Sequence, residues 1–181
     1  MSLQDSAMGG LSSGADCAAA PGNSGVVVRP LREGDKPRWL QLFRDYITWY
    51  KAEVPADVIE LTWQRLMAGG EGNHQGLVAE GPSGGGGDGG GDFVGIAHLL
   101  LHRSTWSPTH YCYLEDLYVD QGVRAKGVGA ALIEAVYAAA HAQGASKVYW
   151  MTQEFNYRAR GLYDKMGQKS HFIVYEGKRR T

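Results

Sequence analysis

The sequence predicts one mixed α/β domain in which helices pack on a β-sheet. Three observations predict it. Apolar residues recur at helical spacing in four separate stretches. Short alternating runs rich in β-branched and aromatic residues lie between them. Glycines mark the ends of the helical stretches. The resulting order is strand, two helices, two or three strands, helix, strand, helix, strand, with no internal repeat.

The first helix is read from Trp39, Leu42, Phe43, Tyr46, Ile47 and Tyr50, whose spacing draws a single apolar face. Asp57–Met67 forms a shorter second helix, ended by Gly69-Gly70. Leu77–Glu80, Phe93–His102 and the aromatic, alternating Tyr111–Val119 read as strands. Lys126–Gln143 carries Val128, Ala131, Leu132, Ala135, Val136 and Ala139 on one stripe and stops at Gly144. Lys147–Met151 is a further short strand. Residues 156–166 form a helix that brings Leu162, Tyr163 and Met166 together before Gly167, and Phe172–Tyr175 is expected to form a last strand.

The chain has 181 residues, the length of one domain, and 44% of them are hydrophobic, enough to bury a core. Residues 1–24 are rich in Ser, Gly and Ala and carry only Asp5 and Asp16 as charges, which predicts a disordered tail. That stretch lacks the basic start of a secretory signal and the arginines of a transit peptide. The domain is expected over 25–177, with a Gly-rich hairpin insert at 81–91 and a basic C-terminal end at 178–181. Eighteen Lys and Arg against 19 Asp and Glu leave a formal net charge of −1, which argues against nucleic acid as a partner. No apolar run reaches the roughly 18 residues needed to cross a bilayer, so no membrane role is expected. Cys17 and Cys112 are too few for a disulfide framework or a zinc finger. The cytoplasm is the expected compartment, with the nucleus left open. His98 and His102 could share one face of a strand, but with no third ligand no metal is expected.

The chemistry is expected at the strand-to-helix junction Asp120-Gln-Gly-Val-Arg-Ala-Lys-Gly-Val-Gly-Ala-Ala-Leu132. Gly127 and Gly129 let a ligand approach the backbone, and the first-turn amides of the following helix favour an anion such as a pyrophosphate. Arg124 and Lys126 add positive charge there. The dinucleotide fingerprint fails because Leu132 stands in place of the third glycine, and the P-loop fails because Lys126 precedes its glycine.

In context, Arg124-x-x-Gly127-x-Gly129 resembles motif A of the GNAT superfamily of N-acetyltransferases, written (Gln/Arg)-x-x-Gly-x-(Gly/Ala). Asn156-Tyr-Arg-Ala-Arg-Gly-Leu-Tyr163-Asp-Lys-Met-Gly167 resembles the family's later helix. Tyr113-Leu-Glu-Asp-Leu-Tyr-Val119, preceded by Ser104-Thr-Trp106, is similar to the diamine acetyltransferase branch. Leu117-Tyr-Val-Asp120 and Val148-Tyr-Trp150 are similar to the yeast histone and polyamine acetyltransferase group. The resemblance implies a GNAT-like twisted, mostly antiparallel sheet flanked by about four helices, with acetyl-CoA as co-substrate.

Residue by residue, it implies that main-chain groups of Leu117, Tyr118 and Val119 hold the pantetheine arm. Arg124, Ala125, Lys126, Gly127, Val128, Gly129 and Ala130 would cradle the pyrophosphate, and Asn156 would hold the neighbouring part of the cofactor. Tyr163 matches the tyrosine that protonates the departing thiolate. An alkyl ammonium must lose a proton before it attacks a thioester. Glu115 is the candidate base, directly or through a water, or else a charged anchor for the ammonium; simple alternation puts it on one face with Leu117 and Asp116 on the other. Cys112 reads as a small buried hydrophobe. Tyr50, Trp150 and Trp49 are candidates for the acceptor pocket, although core packing explains each nearly as well. Lys51 falls where the diamine branch carries a glutamate, which disfavours polycations.

The expected activity is therefore acetyl transfer to a primary amine of a small molecule, an amino acid or a di- or polyamine. Histone or protein lysines and a non-catalytic acyl-CoA-binding domain are the alternatives. A homodimer is expected from the resemblance alone.

Overall fold

The computed structural model describes residues 25–70, 72, 74–81, 93–123 and 127–178. Residues 1–24, the insert beyond Gly81 and residues 179–181 lie outside the described residues, as do Arg124, Ala125 and Lys126. The chain runs β1 (Val27–Pro30), α1 (Lys36–Trp49), α2 (Ala56–Ala68), β2 (Gln75–Glu80), β3 (Phe93–Arg103), β4 (His110–Val119), α3 (Val128–Ala142), β5 (Lys147–Trp150) and α4 (Tyr157–Met166). The five strands lie in sequence order in one sheet. The first four pair antiparallel, and β5 joins β4 in parallel after the crossover through α3. A mostly antiparallel sheet with four helices is the predicted architecture.

Each face of the sheet buries a separate apolar cluster. On one side α1 and α2 place Trp39, Leu42, Phe43, Ile59, Trp63 and Leu66 against Val78, Phe93, Ile96 and Tyr118. On the other, α3 places Val128, Leu132, Ile133, Val136 and Ala140 against Ala97, Leu99, Cys112 and Leu114. This burial decides the helices. The end of α1, Tyr46-Ile-Thr-Trp49, consists of residues with middling helix propensity, a deficit under about 0.7 kcal/mol each. Burying a single Trp39 or Leu42 completely returns about 2–3 kcal/mol. Pro37 sits in the first turn of α1, where a missing N–H costs nothing.

The expected strand at Phe172–Tyr175 does not form. Residues 172–175 belong to no strand, and their side chains are exposed, Phe172 by 84% and Tyr175 by 86%. An alternating apolar run becomes a strand only when it pairs with a neighbour, and residues 172–175 pair with neither edge strand, β1 nor β5.

One polar cluster locks β1 to the entry of α1. Arg29 holds buried Asp35 through two bonds of 2.7 and 2.9 Å and reaches Glu80 at 2.6 Å, while the Arg32 amide also donates to Asp35 at 2.8 Å. Burial alone would raise the Asp35 pKa, but the Arg29 guanidinium and the Arg32 amide hold it below its usual value. A depressed carboxyl pKa contributes stability that is present above the unfolded value, near 4, and is lost as pH falls through the folded value. Asp35→Asn should therefore cost about 3 kcal/mol at pH 7, with the gap to wild type narrowing below pH 4; urea melts at pH 7 and pH 3 measure both.

Candidate active site

The register of β4 builds the site. His98 of β3 pairs with Asp116, and the next residue, Leu99, pairs with Leu114, so Glu115 is an extra residue, a β-bulge. Before it, Cys112 and Leu114 face α3; after it, Leu117 and Val119 do. Tyr118 enters the α1/α2 cluster, and Asp116, on that same side, hydrogen-bonds buried His98 at 2.9 Å. Simple alternation is thus corrected: Glu115 does not share a face with Leu117. Its carboxylate instead hydrogen-bonds His74, just before β2.

β5 pairs with β4 only from Tyr111 to Leu114 and ends at Trp150. Beyond that point the sheet opens into a cavity of about 540 Å³. The wall from β4 is Leu117, Tyr118 and Val119; the start of α3 supplies Gly127, Val128, Gly129 and Ala130; α4 supplies Asn156, Arg158, Leu162, Tyr163 and Lys165; and the end of α1 supplies Tyr46, Trp49 and Tyr50. Of the residues read from the sequence, these elements bring together Leu117, Tyr118, Val119, Gly127, Val128, Gly129, Ala130, Asn156, Tyr163, Tyr50 and Trp49. Glu115 and Trp150 stand outside that lining. Trp150 packs against Tyr163, ring centroids 5.5 Å apart, without reaching the cavity lining.

Local physics explains the placement. Gly127 caps α3 with φ +80°, a left-handed conformation that disfavours any Cβ, and its carbonyl accepts the Ala131 amide at 2.9 Å. The helix N-terminus therefore faces the cavity and favours an anion there. Asn156 caps α4: its side-chain oxygen accepts the Ala159 amide at 3.4 Å and its amide donates to Thr152 at 3.2 Å. Seven residues on, Tyr163 returns to the same helix face. Burial, then Tyr50, pushes the Tyr163 phenol up to about 12, so it keeps its proton throughout the neutral range. The Tyr137 hydroxyl ties α3 to α4 by donating to the Met166 carbonyl at 2.6 Å.

Burial pushes the Cys112 thiol up to about 11, and with no exposed surface it is no nucleophile. Among the described residues no group of three or more His, Cys, Asp or Glu could hold a metal ion. His98 and His102 serve instead as hydrogen-bond partners of Asp116 and Tyr149. Sequence reasoning missed Tyr46, Arg158 and Lys165 as lining residues. Tyr46 had a signal, because it precedes Tyr50 by four and so shares its helix face.

The cavity therefore lies between a bulged strand and the N-termini of α3 and α4, with Tyr163 on its wall. Residues 38–168 match the Acetyltransferase (GNAT) family, and the chain belongs to that family as an N-acetyltransferase. It is 32% identical over 154 residues to the D-amino-acid N-acetyltransferase HPA3 of Saccharomyces cerevisiae, covering 85% of this chain and 91% of that protein. It is also 32% identical over 162 residues to the thialysine N-epsilon-acetyltransferase of Bos taurus, covering 84% and 93%. The fold matches solved structures of AAC(6')-Iy in complex with a bisubstrate CoA analogue, TM-score 0.68 at 16% identity over 86% of this chain and 99% of that one, and of a possible acetyltransferase from Clostridium difficile 630, TM-score 0.69 at 14% identity over 86% and 99%.

The two glycines of the junction should answer differently to substitution. Gly127→Ala forces a left-handed alanine, so stability should fall by about 1 kcal/mol and acetyl-CoA affinity with it. At Gly129 a new Cβ would lie 3.0 Å from Leu162 Cδ2, the flexible end of a side chain, and alanine favours the helix. Gly129→Ala should be near neutral; thermal melts with and without acetyl-CoA separate the two.

Proposed function

We propose that this protein transfers the acetyl group of acetyl-CoA directly to the primary amine of a small molecule, an amino acid in preference to a polyamine. The observation that carries this is one cavity bounded at once by the α3 N-terminus, by Leu117–Val119 and by Tyr163. The residues present fit the cofactor. The α3 amides from Gly127 to Ala130 would take the pyrophosphate, with Arg124, Ala125 and Lys126 preceding them in the chain. Backbone groups of Leu117, Tyr118 and Val119 would run beside the pantetheine arm, and Asn156 would flank it.

In the ternary complex the deprotonated amine attacks the thioester carbonyl carbon, forming the C–N bond. The tetrahedral intermediate then breaks its C–S bond, and Tyr163 gives the leaving sulfur a proton. The nitrogen's proton passes to solvent or to a base. Glu115, bonded to His74 and outside the described lining, would serve as base through intervening water or as an anchor for the ammonium. No acyl-enzyme is needed, and Cys112 is too buried to form one.

The lining favours an acceptor that carries its own carboxylate. Arg158 and Lys165 are its cations, and no Asp or Glu is among the described lining residues. The two named relatives act on amino acids by their own descriptions. Lys51 lies off the lining, exposed, in a left-handed conformation (φ 53°) after α1. A homodimer is supported by the exposed apolar run at 172–175. The cytoplasm remains the proposed compartment.

Two measurements test this reading. Thiol release from acetyl-CoA should be fastest with free amino acids, including D-enantiomers and thialysine, and slower with putrescine and spermidine. Preference for histone-tail peptides would transfer the protein to the lysine-modifying class, and tight acetyl-CoA binding without release would make it a binding domain. Tyr163→Phe should lower kcat roughly tenfold or more while leaving acetyl-CoA affinity nearly intact. Because the Tyr163 phenol lies at about 12, the wild-type rate should show no loss from its ionisation up to pH 10.

A further inference from the structure

Tyr163 sits near the end of α4, a helix of ten residues none of which is fully buried. A helix that short is marginal by itself, so its outside contacts decide where Tyr163 points. Two side chains brace its last turn. The Tyr137 hydroxyl of α3 donates to the Met166 carbonyl at 2.6 Å, one of the terminal carbonyls that lack a partner within the helix. The Trp150 indole at the end of β5 meets both tyrosine rings, its centroid 6.4 Å from that of Tyr137 and 5.5 Å from that of Tyr163. The third part of the brace is a missing side chain. Gly167 has φ −159° and ψ −169°, an extended conformation open to any residue, so the backbone does not call for glycine there. Space does, because a Cβ would lie 2.8 Å from Trp150 Cη2 and 3.2 Å from its Cζ2. The Gly167 amide in turn donates to the Tyr163 carbonyl at 2.8 Å. The indole therefore lies flush against the end of α4 only because position 167 is bare.

We propose that Tyr137 and Trp150 are positioning residues for acetyl transfer, which with the bare Gly167 hold the last turn of α4 so that the Tyr163 phenol meets the leaving sulfur. The inference rests on the reading of Tyr163 as the proton donor and deepens it by naming what aims that donor. A general acid acts only within hydrogen-bond reach of its partner, and a misplacement of about 1 Å costs a large factor in rate. Tyr137 belongs to the helix whose N-terminus would take the pyrophosphate, so its hydrogen bond sets α4 against the element that holds the cofactor. Trp150 closes the brace from the sheet. Neither Tyr137, Trp150 nor Gly167 is part of the cavity lining. Their loss should therefore be felt in the chemical step and not in the binding of either substrate.

Steady-state kinetics of the full chain, with acetyl-CoA and the fastest amino acid of the thiol-release panel, test this. Tyr137→Phe keeps the ring and removes only the hydrogen bond. It should lower kcat roughly three- to tenfold and leave both KM values unchanged. In a Tyr163→Phe background the same change should leave kcat where it is, because the group it aims is gone. A loss of equal factor in both backgrounds, or a rise in either KM without a fall in kcat, overturns the proposal. Gly167→Ala should lower kcat roughly tenfold by displacing the indole. Adding Trp150→Phe, whose shorter ring leaves room for the new methyl, should restore part of that loss; a double variant no better than Gly167→Ala overturns the role of Trp150. Should Gly167→Ala fail to fold, the Tyr137→Phe cycle decides. A Tyr163→Phe variant as fast as wild type overturns the proton-donor reading and this assignment together, whereas a slow Tyr163→Phe beside an unaffected Tyr137→Phe overturns only the assignment.

Discussion

The extra residue in β4 governs most of what surrounds it. Cys112 and Leu114 face the α3 layer, so uninterrupted alternation would carry Asp116 and Tyr118 into that layer and Leu117 and Val119 into the other. A carboxylate would then be pressed among Leu132, Ile133 and Val136, at a cost of several kcal/mol without a partner. The bulge at Glu115 reverses the parity. It sends Asp116 to His98 and leaves Leu117 and Val119 to pack toward α3. The same residue marks where the sheet opens: β5 pairs as far as Leu114 and no farther, so the cavity begins where the ladder ends.

The four helices were legible in the chain because each is decided by its own apolar stripe, and their observed limits lie within about two residues of the periodicity, except that α1 begins at Lys36, three residues before Trp39. The glycine junction and Tyr163 were legible for another reason. Arg124-x-x-Gly127-x-Gly129 and Asn156–Gly167 are short contiguous stretches whose resemblance to the GNAT motifs pointed to these residues, whereas their periodicity alone fitted plain packing. The bulge was not legible, since Tyr-Leu-Glu-Asp-Leu alternates well enough by itself and the surplus residue shows only against β3. Phe172–Tyr175 failed for the complementary reason: its pattern suits a strand, but a strand exists only beside a partner. His98 was read beside His102 as a weak metal pair, while its actual partner, Trp39, stands 59 residues earlier.

Trp39 joins two otherwise separate kinds of order. Its ring stacks on Phe43 at 5.1 Å and tilts against Trp63 at 5.0 Å, which ties α1 to α2, while its one polar atom orders His98 on β3. An indole serves both purposes because it is large, apolar and equipped with a single donor. The apolar packing of the α1/α2 layer is thereby coupled to the polar groups under the cavity.

Neighbouring residues in the last part of β4 answer to different layers: Asp116 and Tyr118 to the one built by α1, Leu117 and Val119 to the one built by α3. A change in the first pair is felt by Tyr46 on the cavity wall; a change in the second is felt by the helix that carries the glycine junction. The end of one strand therefore serves two layers, interleaved at every other position. A substitution in one set repacks one layer and leaves the other layer's contacts in place.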